Sequence, residues 1–135
     1  MDDISFILRN SRTIAVVGLS DKPERPSYDV ASYLMAHGYT VIPVNPNLKE
    51  WRGMKAYPSL SEVRENIDVV DIFRKSEDVT PVVNEAVMIK AKAVWMQLGI
   101  RNEEAAAKAR AAGLRVVMDR CMKIEHMRLK NQEER

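Results

Sequence analysis

Short apolar runs alternate along this chain with segments whose apolar residues recur at helical spacing. The runs are Thr13–Val17, Thr40–Val44, Asp68–Phe73, Ala93–Gln97 and Arg115–Met118. Runs this continuous are typical of strands buried on both faces of a sheet. Strands separated by helices form parallel βαβ units. The pattern predicts one domain over residues 1–135, an α/β Rossmann-like, doubly wound and mainly parallel sheet of five or six strands with helices on both faces.

Helix start and stop signals fill the intervals between these runs. Helical segments are predicted at Asp3–Asn10, from Ser27 to His37, from Thr80 to about Ala91, and from Asn102 to Gly113. A brief helix is expected after Pro58 and a short strand near Lys55–Tyr57. With right-handed crossovers, the expected strand order is 3-2-1-4-5 with a sixth strand at the edge. Residues 1–12 form the N-terminal helix and lead-in, and the polar residues 130–135 are expected to fray.

Composition narrows the class of protein without indicating an activity. The chain has a net charge of +2 and is 46% hydrophobic and 30% charged, as in an ordinary soluble domain. That charge is too mild to indicate nucleic-acid binding, and no run is long enough to predict a membrane span. Cys121 is the single cysteine, so an intramolecular disulfide is excluded and a reducing cytoplasm is expected.

The segment after the first apolar run has the residues of a phosphate-binding loop. Its candidate binding residues are Gly18, Leu19, Ser20, Lys22, Arg25, Pro26 and Ser27. Backbone N–H groups and the helix dipole bind anions at such a helix start. The single glycine breaks the G-x-G-x-x-G spacing, which argues against an ordinary NAD site. A plain connecting loop, with Ser27 only capping the helix, stays open because Asp21 and Glu24 balance the two cations.

The end of the second apolar run distinguishes between nucleotides. An NAD site usually has an acidic residue here, where it accepts hydrogen bonds from the ribose. This chain has Asn45, which can donate to a phosphorylated ribose, and Pro46, which offers a flat apolar surface to adenine. The pair favours coenzyme A or NADP. Arg74, which follows the apolar run Asp68–Phe73, is either a further phosphate ligand or a surface cation.

In this order and spacing, the segments resemble a family of small stand-alone coenzyme A binding proteins. The fold of that family is similar to the N-terminal CoA-binding domain of the succinyl-CoA synthetase α subunit. The resemblance extends from about Thr13 to Leu129. It is carried by VVGLSDKPERPSYDVASYL, GYTVIPVNP, the W-R-G and YPSL segments of Trp51–Leu60, DVVDIFR, AVWMQLGI and AAGLRVVMDRCMKIEHMRL.

The resemblance implies a ligand and a position for each candidate residue. The pyrophosphate of coenzyme A would lie at the first loop and the adenosine beside Asn45 and Pro46. Phe73 and Arg74 would flank the ligand from the neighbouring strand, and Gln97 and Gly99 would border its pantetheine side. In the synthetases, a separate phosphorylated histidine, a second domain and a second subunit complete the enzyme. The resemblance therefore implies binding and does not imply ligation.

The expected function is binding of coenzyme A or an acyl-CoA by a non-catalytic or regulatory protein. An NADP-dependent oxidoreductase and an interaction module with a vestigial nucleotide site are the alternatives. The parallel sheet permits a homodimer or another protein partner without requiring either.

Other chemistry has little support in the sequence. Two histidines and one cysteine lie too far apart to give a usual metal-ligand spacing. Asp71, inside the third long run, is expected to form a local hydrogen bond. Cys121, which follows Arg120, is a candidate for a mixed disulfide with coenzyme A. The alternative for Cys121 is an inert, mostly buried residue.

Overall fold

The computed structural model describes residues 2–134 of the chain. Its helices are α1 Asp3–Asn10, α2 Pro26–Ala36, α3 Val79–Met88, α4 Glu103–Ala111 and α5 Met122–Glu133. Its strands are β1 Thr13–Val17, β2 Thr40–Val44, β3 Glu50–Trp51, β4 Met54–Lys55, β5 Val69–Ile72, β6 Ala93–Met96 and β7 Arg115–Val117. Short 3-10 turns occupy Leu60–Glu62 and Ser76–Asp78.

Five of the strands form one parallel sheet in the order β2-β1-β5-β6-β7. The last residue of β1, Val17, lies in register with Val44 of β2 and Ile72 of β5, so these three strands end at the same level. The two remaining strands, β3 and β4, form a small antiparallel hairpin between β2 and β5 in the chain. The Rossmann-like α/β fold predicted from the sequence is confirmed.

The strand order differs from the expected 3-2-1-4-5. Numbered along the chain, the five parallel strands lie in the order 2-1-3-4-5, because the third long run inserts beside β1 and not outside β2. The short strand expected near Lys55–Tyr57 is found in part as β4, which pairs with β3, and Tyr57 adds a single parallel bridge to Val44. Two backbone bonds form that bridge, from Asn45 N to Tyr57 O at 2.9 Å and from Tyr57 N to Pro43 O at 2.9 Å.

The alternating side chains of the buried strands feed two apolar layers, one on each face of the sheet. One layer packs against α3 and α4, and the other packs against α1, α2 and α5. All five strands contribute residues to both layers, and β5 is the middle strand of the sheet. This arrangement brings the carboxyl ends of all five strands to one edge, where ligands bind in doubly wound sheets.

The C-terminal helix was missed in the sequence analysis. Its segment, MKIEHMRLKNQE, buries only Met122 and Leu129, so the apolar signal is weak. The tail that was expected to fray from residue 130 instead continues the helix to Glu133, whose carboxylate lies 3.2 Å from the Arg9 guanidinium. Within residues 2–134, no helix combines the length and apolarity needed to cross a membrane.

Candidate functional site

An open pocket of about 340 Å³ lies where β1 ends and α2 begins. Its lining consists of Gly18, Ser20, Lys22, Arg25, Pro26, Ser27 and Phe73. Six of these seven belong to the predicted phosphate loop, and the seventh comes from the end of β5. The structure therefore brings most of the predicted first-loop residues to one pocket.

Three hydrogen bonds to Ser20 fix the conformation of this loop. Ser20 N donates to Ser27 Oγ at 2.9 Å, and Lys22 N donates to Ser20 Oγ at 3.1 Å. The indole Nε1 of Trp51 donates to Ser20 O at 2.9 Å. Trp51 is 1% exposed, so the hairpin of β3 and β4 supports the loop from a buried position. Contacts within the protein therefore hold the loop in one conformation.

The start of α2 offers backbone donors to an anion. Ser27 was expected as the helix cap, but the cap is Arg25, whose side chain makes no capping bond, and Pro26 is the first helical residue. The N–H groups of Ser27 and Tyr28 belong to the first turn, where a helix supplies no acceptor. Lys22 and Arg25 are both exposed beside them. The geometry suits a phosphate group, which can accept from backbone and cationic donors together.

Gly18 is required by the packing of the strand ends. Its φ is 84°, and a Cβ at this position would lie 2.2 Å from Phe73 O. The same Cβ would lie 2.7 Å from Nη1 of Arg74, so that guanidinium rests directly over the glycine. The glycine lets the ends of β1 and β5 approach each other and brings Arg74 to the rim of the pocket beside the first loop.

Asn45 lies at the predicted place but its side chain is engaged within the protein. Its Nδ2 donates to Leu19 O at 2.9 Å, and its Oδ1 accepts from Asn47 N at 2.8 Å. The side chain of Leu19 is itself fully buried. Asn45 thus holds the first loop against the end of β2, a role that sequence reasoning missed.

A second pocket of about 150 Å³ lies on the other face of the sheet, between the end of β2 and α3. Its apolar lining consists of Val17, Val44, Pro46, Pro58, Leu60, Pro81 and Val82. Arg74 and Glu85 supply charge, and Glu85 Oε1 accepts from Leu60 N at 3.1 Å. The guanidinium of Arg74 also lies over Gly18, which lines the first-loop pocket. Arg74 therefore lies between the two pockets. Flat prolines and aliphatic side chains suit a planar ring more than a phosphate.

Gln97 and Gly99 lie two strands away from β1, at the end of β6. Two strand spacings correspond to about 10 Å, so these residues lie near the first-loop pocket but do not line it. Gln97 is 4% exposed, and its Oε1 accepts from Met122 N at 3.0 Å. Gly99 N donates to Asp119 Oδ1 at 2.7 Å. Both residues therefore join β6 to the loop that follows β7.

Asp71 is the least expected residue near the site. It is fully buried on β5, in register with Val16 and Trp95, and neither carboxylate oxygen has a hydrogen-bond partner in the described part of the chain. The local hydrogen bond predicted from the sequence is therefore wrong. Burial raises the pKa of Asp71 well above its ordinary value, so the uncharged acid is favoured.

Cys121 and His126, the one nucleophile and base close together in sequence, have separate surroundings. Cys121 is partly buried and immediately precedes α5. The His126 Nδ1 lies 2.8 Å from the Tyr33 hydroxyl on α2, and its ring centroid lies 5.3 Å from that of His37. Among residues 2–134, no group of three or more histidine, cysteine, aspartate or glutamate side chains is placed to hold a metal ion.

Comparison with known proteins supplies the family. The sequence matches the family described as CoA binding domain over residues 12–127. The chain belongs to this CoA binding domain family. It is 44% identical over 124 residues to the protein YneT of Bacillus subtilis (strain 168), covering 92% of each chain. A solved structure of a hypothetical protein from Pyrococcus horikoshii OT3 superposes with a TM-score of 0.92 at 46% identity, covering 95% of this chain and 90% of that one.

Larger ligases contain a related segment. The α subunit of acetate–CoA ligase [ADP-forming] II from Pyrococcus furiosus is 39% identical over 64 residues. That match covers 47% of this chain and only 14% of the ligase subunit. The predicted resemblance to a family of small stand-alone coenzyme A binding proteins, with a fold similar to the CoA-binding domain of a synthetase α subunit, is confirmed at the level of the CoA binding domain family. The ligase activity belongs to a much longer protein.

Proposed function

We propose that this protein binds coenzyme A or an acyl-CoA and acts as a binding protein without a reaction of its own. The observation that carries the proposal is the pair of pockets on either side of Arg74. One pocket combines a fixed loop, free donors at a helix start and two cations. The other is apolar and lined by prolines. A nucleotide with a pyrophosphate and a planar base matches this combination, and membership of the CoA binding domain family supports coenzyme A.

The pyrophosphate lies in the pocket of the first loop in this proposal, with the α2 N–H groups and the cations Lys22 and Arg25 as donors. The adenine lies against Pro46 in the apolar pocket. Arg74, between the two, is placed to reach the ribose 3′ phosphate or the pyrophosphate. An acidic residue that would repel the 3′ phosphate is absent from the position of Asn45.

The first test compares four nucleotides by thermal unfolding and by calorimetric titration. Coenzyme A at a hundred times its dissociation constant should add about 2.7 kcal/mol to the free energy of unfolding. Dephospho-CoA should bind more weakly, and NAD should cause no shift. A stronger response to NADP would favour an oxidoreductase, and no response to any of the four would contradict the proposal.

The second test removes the cations of the loop. The double substitution of Lys22→Ala and Arg25→Ala should weaken coenzyme A binding roughly tenfold or more, because the loss of even one charge-assisted hydrogen bond costs about 1.5–3 kcal/mol. A matched control is the pair Lys55→Ala and Arg64→Ala, which removes two cations from a different surface depression. Equal losses in the two double variants would indicate only a general effect of charge. Mass spectrometry of acetyl-CoA left with the protein checks for turnover, and release of free coenzyme A would overturn the non-catalytic part.

A further inference from the structure

The hairpin of β3 and β4 turns on two residues with left-handed backbones. Trp51 pairs with Met54, so Arg52 and Gly53 form the two-residue turn between them. Their φ values are 49° and 81°, and a type I′ turn requires positive φ at both positions. Glycine adopts such values freely, whereas arginine does so at a cost in free energy. A strained residue of this kind persists where surrounding contacts hold it in place.

The side chain of Arg52 supplies such contacts by joining the hairpin to α2. Its Nη1 donates to Ser32 Oγ on α2 at 3.1 Å, and its Cζ lies 5.5 Å from the ring centroid of Trp51. At the base of the hairpin, Tyr57 bridges to Val44 of β2. A two-stranded hairpin is marginally stable by itself in water. This one is held at both ends, by α2 and by β2, so the indole of Trp51 has a fixed position.

The indole of Trp51 contacts both sides of the first-loop pocket without lining it. On the loop side, Nε1 donates to Ser20 O at 2.9 Å. On the helix side, the ring of Tyr28 meets the indole edge to face, with 5.1 Å between the ring centroids. Ser20 lines the pocket, and Tyr28 lies beside Ser27, which also lines it. The indole therefore bridges the loop and the first turn of α2 from a buried position.

The relative position of the loop and the helix determines how an anion is held. Lys22 extends from the loop, whereas the N–H groups of Ser27 and Tyr28 belong to the helix. The bond from Ser20 N to Ser27 Oγ joins the two sides at one point, and the indole joins them at a second. Two connections restrict the rotation that a single hydrogen bond allows. Donors that are fixed in advance bind an anion more tightly, because less conformational freedom is lost on binding.

We propose that Trp51 is a positioning residue for phosphate: its indole fixes the first loop relative to the start of α2 and thereby raises the affinity of the first-loop pocket for phosphate groups. The inference rests on the proposed function, because it assumes that this pocket holds the pyrophosphate of coenzyme A. It goes further in assigning part of the affinity to a residue that does not touch the ligand. Inorganic pyrophosphate, which has no adenosine, is the probe for this contribution.

The experiment measures the affinity of each variant for inorganic pyrophosphate and for coenzyme A by calorimetry. Trp51→Phe keeps an aromatic ring against Tyr28 but removes the N–H that bonds to Ser20 O. Both affinities should fall about fivefold, which corresponds to the net contribution of one neutral hydrogen bond. The two losses should be equal, because only the phosphate contacts of coenzyme A depend on the indole.

Trp95→Phe is the matched control for this substitution. Trp95 is also fully buried, and its Nε1 donates to a loop carbonyl, Arg120 O, at 2.8 Å. The two substitutions therefore remove the same ring and the same kind of bond, and urea unfolding should show comparable losses of stability. Only Trp51→Phe should weaken pyrophosphate binding, since Arg120 follows β7, which lies three strands from β1.

Trp51→His separates the N–H group from the bulk of the indole. The Nε2 of a histidine occupies the same place in the five-membered ring as the indole Nε1, so a neutral imidazole at pH 8 can donate to Ser20 O. This variant loses more packing against Tyr28 than Trp51→Phe does, and it should be less stable. Its pyrophosphate affinity should nevertheless exceed that of Trp51→Phe. A role in stability alone would give the opposite order.

The outcomes distinguish this inference from the proposed function. If the unmodified protein binds neither ligand, the proposed function fails. If it binds either one and Trp51→Phe leaves that affinity unchanged, the inference alone is wrong. Equal losses of pyrophosphate affinity in Trp51→Phe and Trp95→Phe, or a lower affinity in Trp51→His than in Trp51→Phe, would also overturn it.

Discussion

The first loop, between β1 and α2, and the corner where β6 and β7 end are both held by contacts within the protein, but by different means. Three residues from separate parts of the chain fix the loop: Ser27 from α2, Trp51 from the hairpin, and Asn45 from the end of β2. In the corner, which consists of the turn Gln97–Ile100 and Asp119, the carboxylate of Asp119 accepts from Gly99 N, and backbone bonds run from Ile100 N to Gln97 O and from Asp119 N to Ile100 O. The loop is thus held by side chains from three packed elements, whereas the corner is held by backbone bonds and by Asp119, whose φ of 58° is left-handed. A loop of the first kind resists most single substitutions.

The largest expected loss of stability comes from substitution of Gly18, because no side chain fits at this one position of the loop. Gly18→Ala should destabilise the protein by about 3 kcal/mol or more, because a positive φ and a clash with Phe73 O act together. Urea unfolding measures the change. Gly113→Ala is the control, since Gly113 has a φ of 89° with no atom within 4 Å of the added Cβ. Equal losses in the two variants would show that the close approach to β5 costs nothing.

A smaller change in the free energy of unfolding is expected from substitution of Asp71, which lies on β5 between the first loop and the corner. Because burial raises its pKa, the folded protein keeps the acid protonated while the unfolded chain ionises above about 3.8. Stability from this group is therefore complete at low pH and declines as the pH rises above 3.8 toward the raised pKa. Asp71→Asn should abolish that decline in unfolding free energies measured from pH 3.5 to 8.

Asp68 provides an internal control of opposite sign. Burial opposes its charge, but hydrogen bonds from the backbone N–H groups of Thr13 and Arg12 prevail and lower the pKa of Asp68. Its contribution is present above pH 3.8 and is lost as the pH falls through the lowered value. Asp68→Asn should therefore cost stability near neutral pH. If Asp71→Asn behaves like Asp68→Asn, the carboxyl of Asp71 has a charge-stabilising partner, contrary to the structure.

The smallest change in stability is expected at the contact between α2, which follows the first loop, and α5, which follows the corner. Burial, together with the charges of His37 and Lys130, lowers the pKa of His126 below 6.5, and Glu133 opposes this shift. Glu133 is itself paired with Arg9 of α1, and the ring centroids of Tyr33 and Tyr39 lie 5.5 and 5.6 Å from that of His126. The stability contribution is present above pH 6.5 and is lost as the pH falls through the lowered pKa.

Two variants test this link between the helices. His126→Gln should show less loss of unfolding free energy between pH 7.5 and 5 than the unmodified protein. His37→Gln should reduce the same loss in part, because it removes one of the two repelling charges. An unchanged pH profile in both variants would show that the two regions are not coupled through this contact.

The fold and the first loop could be predicted from sequence because their signals are local. The buried strands are continuous apolar runs, and Gly18, Lys22 and Arg25 follow one of them directly. The roles of Asn45 and Trp51 could not be predicted, since each depends on a contact with a residue 26 or 31 positions away. The corner was hidden for a related reason. An aspartate at position 119 does not by itself indicate a left-handed backbone or a hydrogen bond from Gly99.

The order of the strands and the C-terminal helix show the limits of periodicity. A pattern of buried runs indicates strands but does not say beside which neighbour each one inserts, and so the third long run was misplaced. The helix α5 buries two side chains, too few to give a helical signal. Its position is determined by packing against α1 and α2 and by links such as the 2.8 Å contact between Lys123 and Asp29.

The buried polar side chains of the part of the chain that the structure describes are Ser27, Asp71 and Gln97, and their positions bear on local opening of the fold. Ser27 is on α2, Gln97 binds the start of α5, and Asp71 lies in register with two residues of that same layer. Among residues 2–134, the opposite layer, beneath α3 and α4, contains no buried polar side chain. Amide hydrogens should therefore exchange slowest in α3 and α4 and sooner in α2 and α5. Local opening is thus expected on the side of the sheet where the first loop lies, while the α3 and α4 side keeps the sheet intact.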